Sequence, residues 1–165
     1  MSDGEWSDYV SSAGADPAAL GAATGDMADA TAAVGPELDA IDTAALPDDA
    51  AADVSSAQYA TSQAASWDLW SQGDLADAAS WQDQAAGDVQ SAQEWAALGN
   101  MDAAQEELDS AGTAADIGSD TAGTSATDLG IGAGYMDSAS TDISSAADVS
   151  SYATGSTDAG TDVSV

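Results

Sequence analysis

Helical periodicity in this chain comes from a sparse set of apolar residues. In the first third, Leu20, Met27 and Val34 recur every seven residues and give a predicted helix a thin apolar stripe. In the last third, one set of positions recurs at the same interval, and the positions three residues further on are all small. This pattern is typical of a coiled-coil seam whose small second layer lets two backbones approach closely. The first set is Leu108, Ala115, Ala122, Leu129, Met136 and Ile143, and the small set is Ala111, Gly118, Ser125, Gly132, Ala139 and Ala146.

The three prolines mark predicted helix starts. Pro17, Pro36 and Pro47 each stand where a first helical position would be, with acidic residues nearby that suit the positive end of a helix dipole. The pattern predicts two short helices, over residues 17–33 and 36–45, and a third helix that begins near residue 47.

Tryptophans and carboxylates alternate in the middle of the chain. Trp67, Trp81 and Trp95 recur every 14 residues, an interval that returns to nearly the same face of a helix. An unbroken helix would place the aspartates between them on that face too, and burying such a stripe would strand charge. We therefore expect this segment to be broken into shorter helices. The aspartates concerned are Asp74, Asp88 and Asp102.

Glycines followed by an Asp or Asn cap indicate where the breaks fall. Gly73-Asp74, Gly87-Asp88 and Gly99-Asn100 each have the form of a helix terminator followed by an N-cap. The prediction is a small bundle of short helices. Their ranges are 48–72, 74–86, 88–98 and 100–111.

The Gly-Asp/Asn-x-x-x-Ala turns that end at Ala78, Ala92 and Ala104 resemble those of tetratricopeptide-type helical hairpins. The spacing of these turns, 14 and 12 residues, departs from the period of about 34 in that family. A local helical bundle without repeat ancestry is the simpler interpretation.

The predicted fold class is mainly α. We divide the chain into N-terminal short helices (1–46), a Trp-containing helical bundle (47–111) and a low-complexity Ala/Ser/Thr/Gly/Asp segment (112–165). Each interior glycine of the last segment costs a helix about 1 kcal/mol relative to Ala. Two alternatives stay open for that segment: a close-packed helix of coiled-coil type, or a flexible or extended tail.

The net charge of the chain limits the solvent conditions in which it can fold. It has no Lys, Arg or His against 30 acidic residues, so its net charge is −30. Carboxylate repulsion destabilises a compact state unless salt screens it. The bias to Asp, with Ala, Gly, Ser and Thr as the bulk, resembles cytoplasmic proteins of haloarchaea that accumulate molar salt. The resemblance implies the cytoplasm of a halophile, or a virion, as the setting, with non-specific cations around the surface.

Large apolar side chains are scarce. Leu, Ile and Val together number 19 of 165 residues and Phe is absent, which is little to offset the entropy of ordering the chain. An acidic disordered chain is one interpretation, and order supplied by copies of itself or by other structural proteins is the other. For the second, the interface residues we predict are Trp67, Trp70, Trp81, Trp95, Leu129, Met136 and Ile143.

The residue inventory disfavours most chemistry. Without His, Lys, Arg or Cys the chain lacks an imidazole base, a Schiff-base amine, a phosphate clamp and thiolate ligands. Nucleic-acid binding is disfavoured because it depends on cations that displace counter-ions from phosphate. No apolar run is long enough for a membrane span. We predict no enzyme activity, no cofactor and no specific metal site.

The sequence therefore favours a non-enzymatic structural or assembly subunit that works in molar salt. A neck, tail or fibre component of a haloarchaeal tailed virus is the most specific form of that expectation. The alternative is an acidic mimic of nucleic acid that inhibits a DNA-binding protein. A mimic should concentrate its carboxylates on one surface, whereas here they are spread from Asp3 to Asp162.

Overall fold

A computed structural model describes residues 5–14 and 16–156 of the chain. Within these ranges all regular structure is helical, which confirms the predicted fold class. This part of the chain contains four α-helices and one short 3-10 helix. They are α1 (Glu5–Ala13), α2 (Pro17–Asp39), the 3-10 helix (Thr43–Ala45), α3 (Asp48–Ala97) and α4 (Met101–Ser156).

An antiparallel hairpin of α3 and α4 forms the frame of the molecule. The two helices have 50 and 56 residues, or about 75 and 84 Å at 1.5 Å per residue. The shorter α2 packs mainly on α3, and α1 packs mainly on α4. The half of the hairpin nearest its turn therefore consists of two helices, and the other half is thickened by α1 and α2.

The hairpin turn has the predicted terminator and cap. Gly99 adopts a left-handed φ of +80°, which suits glycine. The amide of Asn100 donates to the Trp95 carbonyl at 3.0 Å, and its side-chain oxygen accepts from the Ala103 amide at 3.3 Å. This is a Schellman-type end followed directly by an N-cap. The start predicted near Asn100 is confirmed.

Two further predicted starts are confirmed. The Asp16 carboxylate caps α2 by accepting from the amides of Ala18 and Ala19 at 2.9 and 3.1 Å, with Pro17 in the first turn. Pro47 precedes α3 directly.

The predicted breaks at Gly73-Asp74 and Gly87-Asp88 are wrong, since α3 runs through both. Neither glycine has a positive φ, and both lie on the exposed side of the helix. A helix interior pays about 1 kcal/mol for each, which packing of the flanking turns against α4 outweighs. The turns that suggested tetratricopeptide hairpins are therefore absent at these two glycines.

The reason for predicting these breaks was that an unbroken helix would bury a stripe of Trp and Asp, and this expectation is also wrong. The stripe of alternating Trp and Asp lies along the edge of the α3–α4 contact, where Trp67, Asp74, Trp81 and Asp88 are only partly buried. Because the stripe keeps access to solvent, an unbroken helix does not require the carboxylates to be fully desolvated.

The predicted helix start at Pro36 is also wrong, because Pro36 lies inside α2. Proline removes one amide donor, and here it does so in the last turn, where the helix ends three residues later. The helix end is held by Leu38, whose side chain is buried and whose carbonyl accepts from the Gln58 side-chain amide at 3.0 Å.

A column of small residues brings α3 and α4 together. On each helix a small residue recurs every seven positions. Each of these residues faces a residue of the other helix that is the same number of positions from Leu98, which lies at the turn. Hydrogen bonds and packing show five of these layers directly, and the same register continues through two more. We call the column the small-residue seam: Ala50, Ala57, Ala64, Ser71, Ala78, Ala85 and Ala92 on α3 face Ala146, Ala139, Gly132, Ser125, Gly118, Ala111 and Ala104 on α4.

The two sets of α4 positions that recur every seven residues differ in burial. All six members of the small set are buried. Of the other set, Ala122, Leu129 and Met136 are buried, whereas Leu108 and Ile143 are exposed. Over residues 112–156 the low-complexity segment is helical, and α4 is continuous across residue 112. Residues 157–165 lie outside the described part.

Glycine is needed in the seam where the backbones come closest. A methyl group added at Gly118 would lie 3.2 Å from the Trp81 Cβ and 3.3 Å from the Ala78 carbonyl oxygen. One added at Gly132 would lie 3.3 Å from the Trp67 Cβ. Both carbon–carbon distances are shorter than ordinary van der Waals contact, so a methyl group at either of these two positions would push α3 and α4 or their side chains apart.

The central layer of the seam is polar. Ser71 and Ser125 are both fully buried, and their hydroxyl oxygens are 2.7 Å apart. The Ser125 hydroxyl also lies 3.0 Å from the Ser71 carbonyl oxygen, which can accept from it. The pair is therefore hydrogen-bonded across the helices, which makes its burial tolerable.

The short α1 is held on the hairpin by one carboxylate and two apolar side chains. Asp137 of α4 accepts from the Trp6 amide at 3.0 Å and the Ser7 amide at 3.1 Å, so it caps α1 from another helix. Trp6 and Val10 are buried in the main apolar cluster.

We expect Gly118→Ala to destabilise the fold and Gly123→Ala to stabilise it. Alanine favours a helix by about 1 kcal/mol over glycine, but at Gly118 the methyl group meets atoms fixed to the α3 backbone, with an overpacking cost of about 1–3 kcal/mol. At Gly123 nothing lies within 4 Å of the added carbon. Urea unfolding of both variants measures the difference, and equal stabilisation would contradict the close seam.

Candidate functional site

The seven residues predicted to form an interface do not all lie at the surface. Leu129 and Met136 are buried within the chain, with 0% and 5% of their surface exposed, and pack in the apolar cluster with Trp6, Leu20 and Met27. They offer no free surface to a partner. Ile143 is 38% exposed and lies beside two grooves.

The tryptophans differ in the same way. Trp67 and Trp81 are partly buried at the edge of the seam, whereas Trp70 is 61% exposed and Trp95 is 40% exposed. Trp67 and Trp70 form an edge-to-face pair with ring centroids 4.8 Å apart. Trp95 lies near the hairpin turn. The structure thus brings together two of the four.

Two tyrosines join this pair on the same face of the hairpin. Tyr59 of α3 and Tyr135 of α4 meet edge to face with centroids 6.4 Å apart, and Tyr59 is 60% exposed. The residues that contact α2 lie on the other side of α3, where Gln58 reaches the Leu38 carbonyl. We call the surface that carries Tyr59, Tyr135, Trp67 and Trp70 the open face.

Neither tyrosine was predicted from the sequence as a site residue. The signal that could have identified them is the register of the small-residue seam: once Ala64 is placed opposite Gly132, helical phase puts Tyr59 and Tyr135 on the same flank.

Carboxylates border the aromatic residues at both ends of the open face. Burial raises the pKa of Asp128, and the nearby charge of Asp74 raises it further. Burial likewise raises the pKa of Asp142, with a second contribution from the charge of Asp53. In each pair one carboxylate lies on α3 and the other on α4. The described residues contain no cationic side chain that could neutralise either pair.

The order along the hairpin is acid, aromatic, acid. On α3, Asp53 is followed by Tyr59, then Trp67 and Trp70, then Asp74. The two aspartates are 21 positions apart, a separation of about 31 Å along the helix. A notch of about 400 Å³ lies between the helices at one end, lined by Tyr59, Tyr135 and Asp142 together with Ser55, Ser56, Ala60 and Ser138.

A second depression lies on the opposite side of the hairpin, between α2 and α4. It has a volume of about 470 Å³ and is mainly apolar. Its walls are formed by Trp6, Ala30, Val34, Met136, Ala139 and Ile143, with Asp26, Ser140 and Ser144 at the rim.

Among the described residues, the most deeply buried carboxylate belongs to Asp68 on α3. Only 2% of its surface is exposed, and burial raises its pKa although the Gln72 side-chain amide donates to it at 2.8 Å. In the described part of the chain its Oδ1 has no hydrogen-bond partner, and neither does the buried Oδ2 of Asp88. Burial is the largest cause of the shift, so we interpret the raised pKa of Asp68 as a consequence of packing.

Among the described residues, nowhere do three potential metal-ligating side chains converge. Within the same ranges, the helices lack a stretch that is both long and apolar enough to cross a membrane.

Comparison of the chain with protein-family models, with curated proteins and with solved structures gives no match.

We expect Asp68→Asn to stabilise the protein at pH 7 by about 1 kcal/mol, because it removes a buried charge whose hydrogen bonding is incomplete. A raised pKa means that the native state binds a proton more readily than the unfolded state. The penalty from Asp68 therefore applies in full above its folded pKa, shrinks as the pH falls through that value, and is gone below the pKa of the unfolded state.

Urea unfolding of Asp68→Asn and the unsubstituted protein from pH 7 to pH 4 tests this. The stability difference should shrink as the pH falls. Asp77→Asn, which removes an exposed carboxylate from the same helix, is the control and should show a smaller effect. Identical profiles for the two variants would show that Asp68 carries no special penalty.

Proposed function

We propose that the protein is a non-enzymatic structural or assembly subunit that works in molar salt and engages a partner through its open face. The observation that carries this proposal is the acid–aromatic–acid order of that face, with Trp70 and Tyr59 about three-fifths exposed. Exposed aromatic residues are enriched at protein interfaces, where their large area can be buried at low cost in side-chain entropy.

The shape of the frame also supports an assembly role. A hairpin about 75 Å long, built from helices of 50 and 56 residues, presents a long surface relative to its small core. The sequence has no His, Lys, Arg or Cys, and no three potential metal ligands converge within the described residues. These features favour a subunit over an enzyme.

The carboxylates are spread over the molecule. Exposed aspartates occur on α2 at Asp29, on α3 at Asp83 and on α4 at Asp116. This distribution favours general adaptation to salt over imitation of a nucleic-acid backbone, which would require one acidic surface. A neck, tail or fibre component of a haloarchaeal tailed virus is our proposal for the setting, supported by the composition and by the elongated hairpin.

Folding should depend on salt. The close carboxylates on the open face, Asp74 near Asp128 and Asp53 near Asp142, repel one another without a cationic side chain nearby. Raising KCl from about 0.1 M to about 3 M shortens the screening length from about 10 Å to less than about 3 Å. Circular dichroism should show helix gained at the higher concentration, and full helicity at both would contradict the proposed adaptation.

The assembly role is tested by fractionating cells or particles from the natural source in about 3 M KCl, a concentration that screens surface charge. We expect the 16.1 kDa chain to sediment with large particles, and Trp70→Glu to be released into the light fractions because it places a charge among the exposed rings. Thr113→Glu, an exposed position on α4 that lies nearer the hairpin turn than the open face does, is the control. A wild-type chain found entirely in the light fractions would refute the proposal.

A further inference from the structure

The open face leaves a groove between two helices without a third helix in it. On the other flank of the seam, α2 covers α3 and buries Thr61 and Ala64 beneath it. On the open flank, the corresponding edge of the seam carries Trp67 and Tyr135, which stay partly exposed. The hairpin therefore has one flank occupied by a helix of the same chain and one equivalent flank unoccupied by the described residues.

The chemistry of the open face specifies what could fill it. Four aromatic rings lie in the centre, and a pair of carboxylates borders them at each end. The centre suits apolar side chains, which would bury the exposed rings of Tyr59 and Trp70. The ends require cations, because covering Asp53 and Asp74 with apolar groups would desolvate their charge.

A second copy of this chain does not meet that requirement. The sequence contains no Lys, Arg or His, so two open faces packed together would bring eight carboxylates into proximity without any cationic side chain. Charge complementarity therefore points to a different protein.

We propose that the open face binds a helix of another protein that carries an apolar stripe in its centre and Lys or Arg at both ends, about 21 residues apart. This inference rests on the proposed assembly function and names the partner of the same surface. Such a helix would lie along the groove and form a three-helix arrangement with α3 and α4. Its end cations would meet the carboxylates near Asp53 and Asp74, where the neighbouring aromatic rings add cation–π attraction.

The test uses the full chain in about 2 M KCl, where screening suppresses non-specific attraction between a polycation and an acidic protein. The probe is a fluorescent synthetic helix of Ala, Leu and Lys with Leu on its central stripe and two Lys residues at each end. The control peptide has the same composition, with Lys in the centre and Leu at the ends. Fluorescence anisotropy gives both dissociation constants, and we expect the probe to bind at least about tenfold more tightly.

Matched variants locate the binding surface. Trp70→Ala should weaken binding of the probe by about tenfold or more, as expected for a central aromatic anchor. Trp95→Ala removes another exposed tryptophan, but one that lies outside the stretch from Asp53 to Asp74, and should change binding by less than about twofold. Circular dichroism of each variant establishes that it is folded.

The end charges have their own pair of variants. Asp53→Asn combined with Asp74→Asn should weaken binding and flatten its dependence on salt. Asp116→Asn combined with Asp120→Asn removes the same charge from an exposed stretch of α4 and should have little effect.

Three results would overturn the inference: equal binding of the two peptides, unchanged binding by Trp70→Ala, or a homodimer in light scattering that Trp70→Ala abolishes, which would assign the face to a second copy. The sedimentation experiment has a separate outcome. A chain that binds the probe but stays in the light fractions would retain the recognition chemistry and lose the assembly role. A chain that sediments with particles but does not distinguish the peptides would support the assembly role and refute the proposed partner helix.

Discussion

Close approach of two helix backbones along the small-residue seam is the constraint on which the rest of this structure depends. A chain with 19 Leu, Ile and Val residues cannot build a wide core, so it gains dispersion contacts by bringing backbones together over many layers. These stabilising contacts are spread along the hairpin. They are made at glycine and alanine positions, which by themselves are unfavourable or neutral for folding. Larger side chains are concentrated where α1 and α2 join, around Leu20, Met27 and Leu129.

Sequence reasoning succeeded where the signal was local or strictly periodic. The Gly99-Asn100 turn, the starts at Pro17 and near Pro47, and burial of the small set on α4 all follow from capping chemistry and from a seven-residue interval. It failed at Pro36, Gly73 and Gly87, where local punctuation was overridden by packing against another helix. Helix propensity is a weak influence when a long partner helix supplies contacts on both sides of the disfavoured residue.

The candidate site was predictable only in part. Trp67 and Trp70 were identified because large aromatic residues are rare in this chain, whereas Tyr59 and Tyr135 depend on how α3 and α4 are aligned. The same alignment moved Leu129 and Met136 from the predicted interface into the core. Their seven-residue spacing indicates a contact face, but spacing alone does not distinguish a contact with another helix of the same chain from one with another protein.

The symmetry of the seam about Leu98 has a consequence for how hairpins of this type can change in length. Every layer repeats after seven residues on each arm, or about 10.5 Å along the axis. Insertion of seven residues at matching places in α3 and α4 would lengthen the arm by one layer and leave the alignment of all other layers intact. An insertion in one arm alone would slide every layer on the far side of it from the turn. Placed between the turn and Ser71 or Ser125, it would separate these two residues, which now share a buried hydrogen bond. Length in such a hairpin therefore changes in steps of one seven-residue layer, and a change inside one arm keeps the register only when the other arm changes by the same amount.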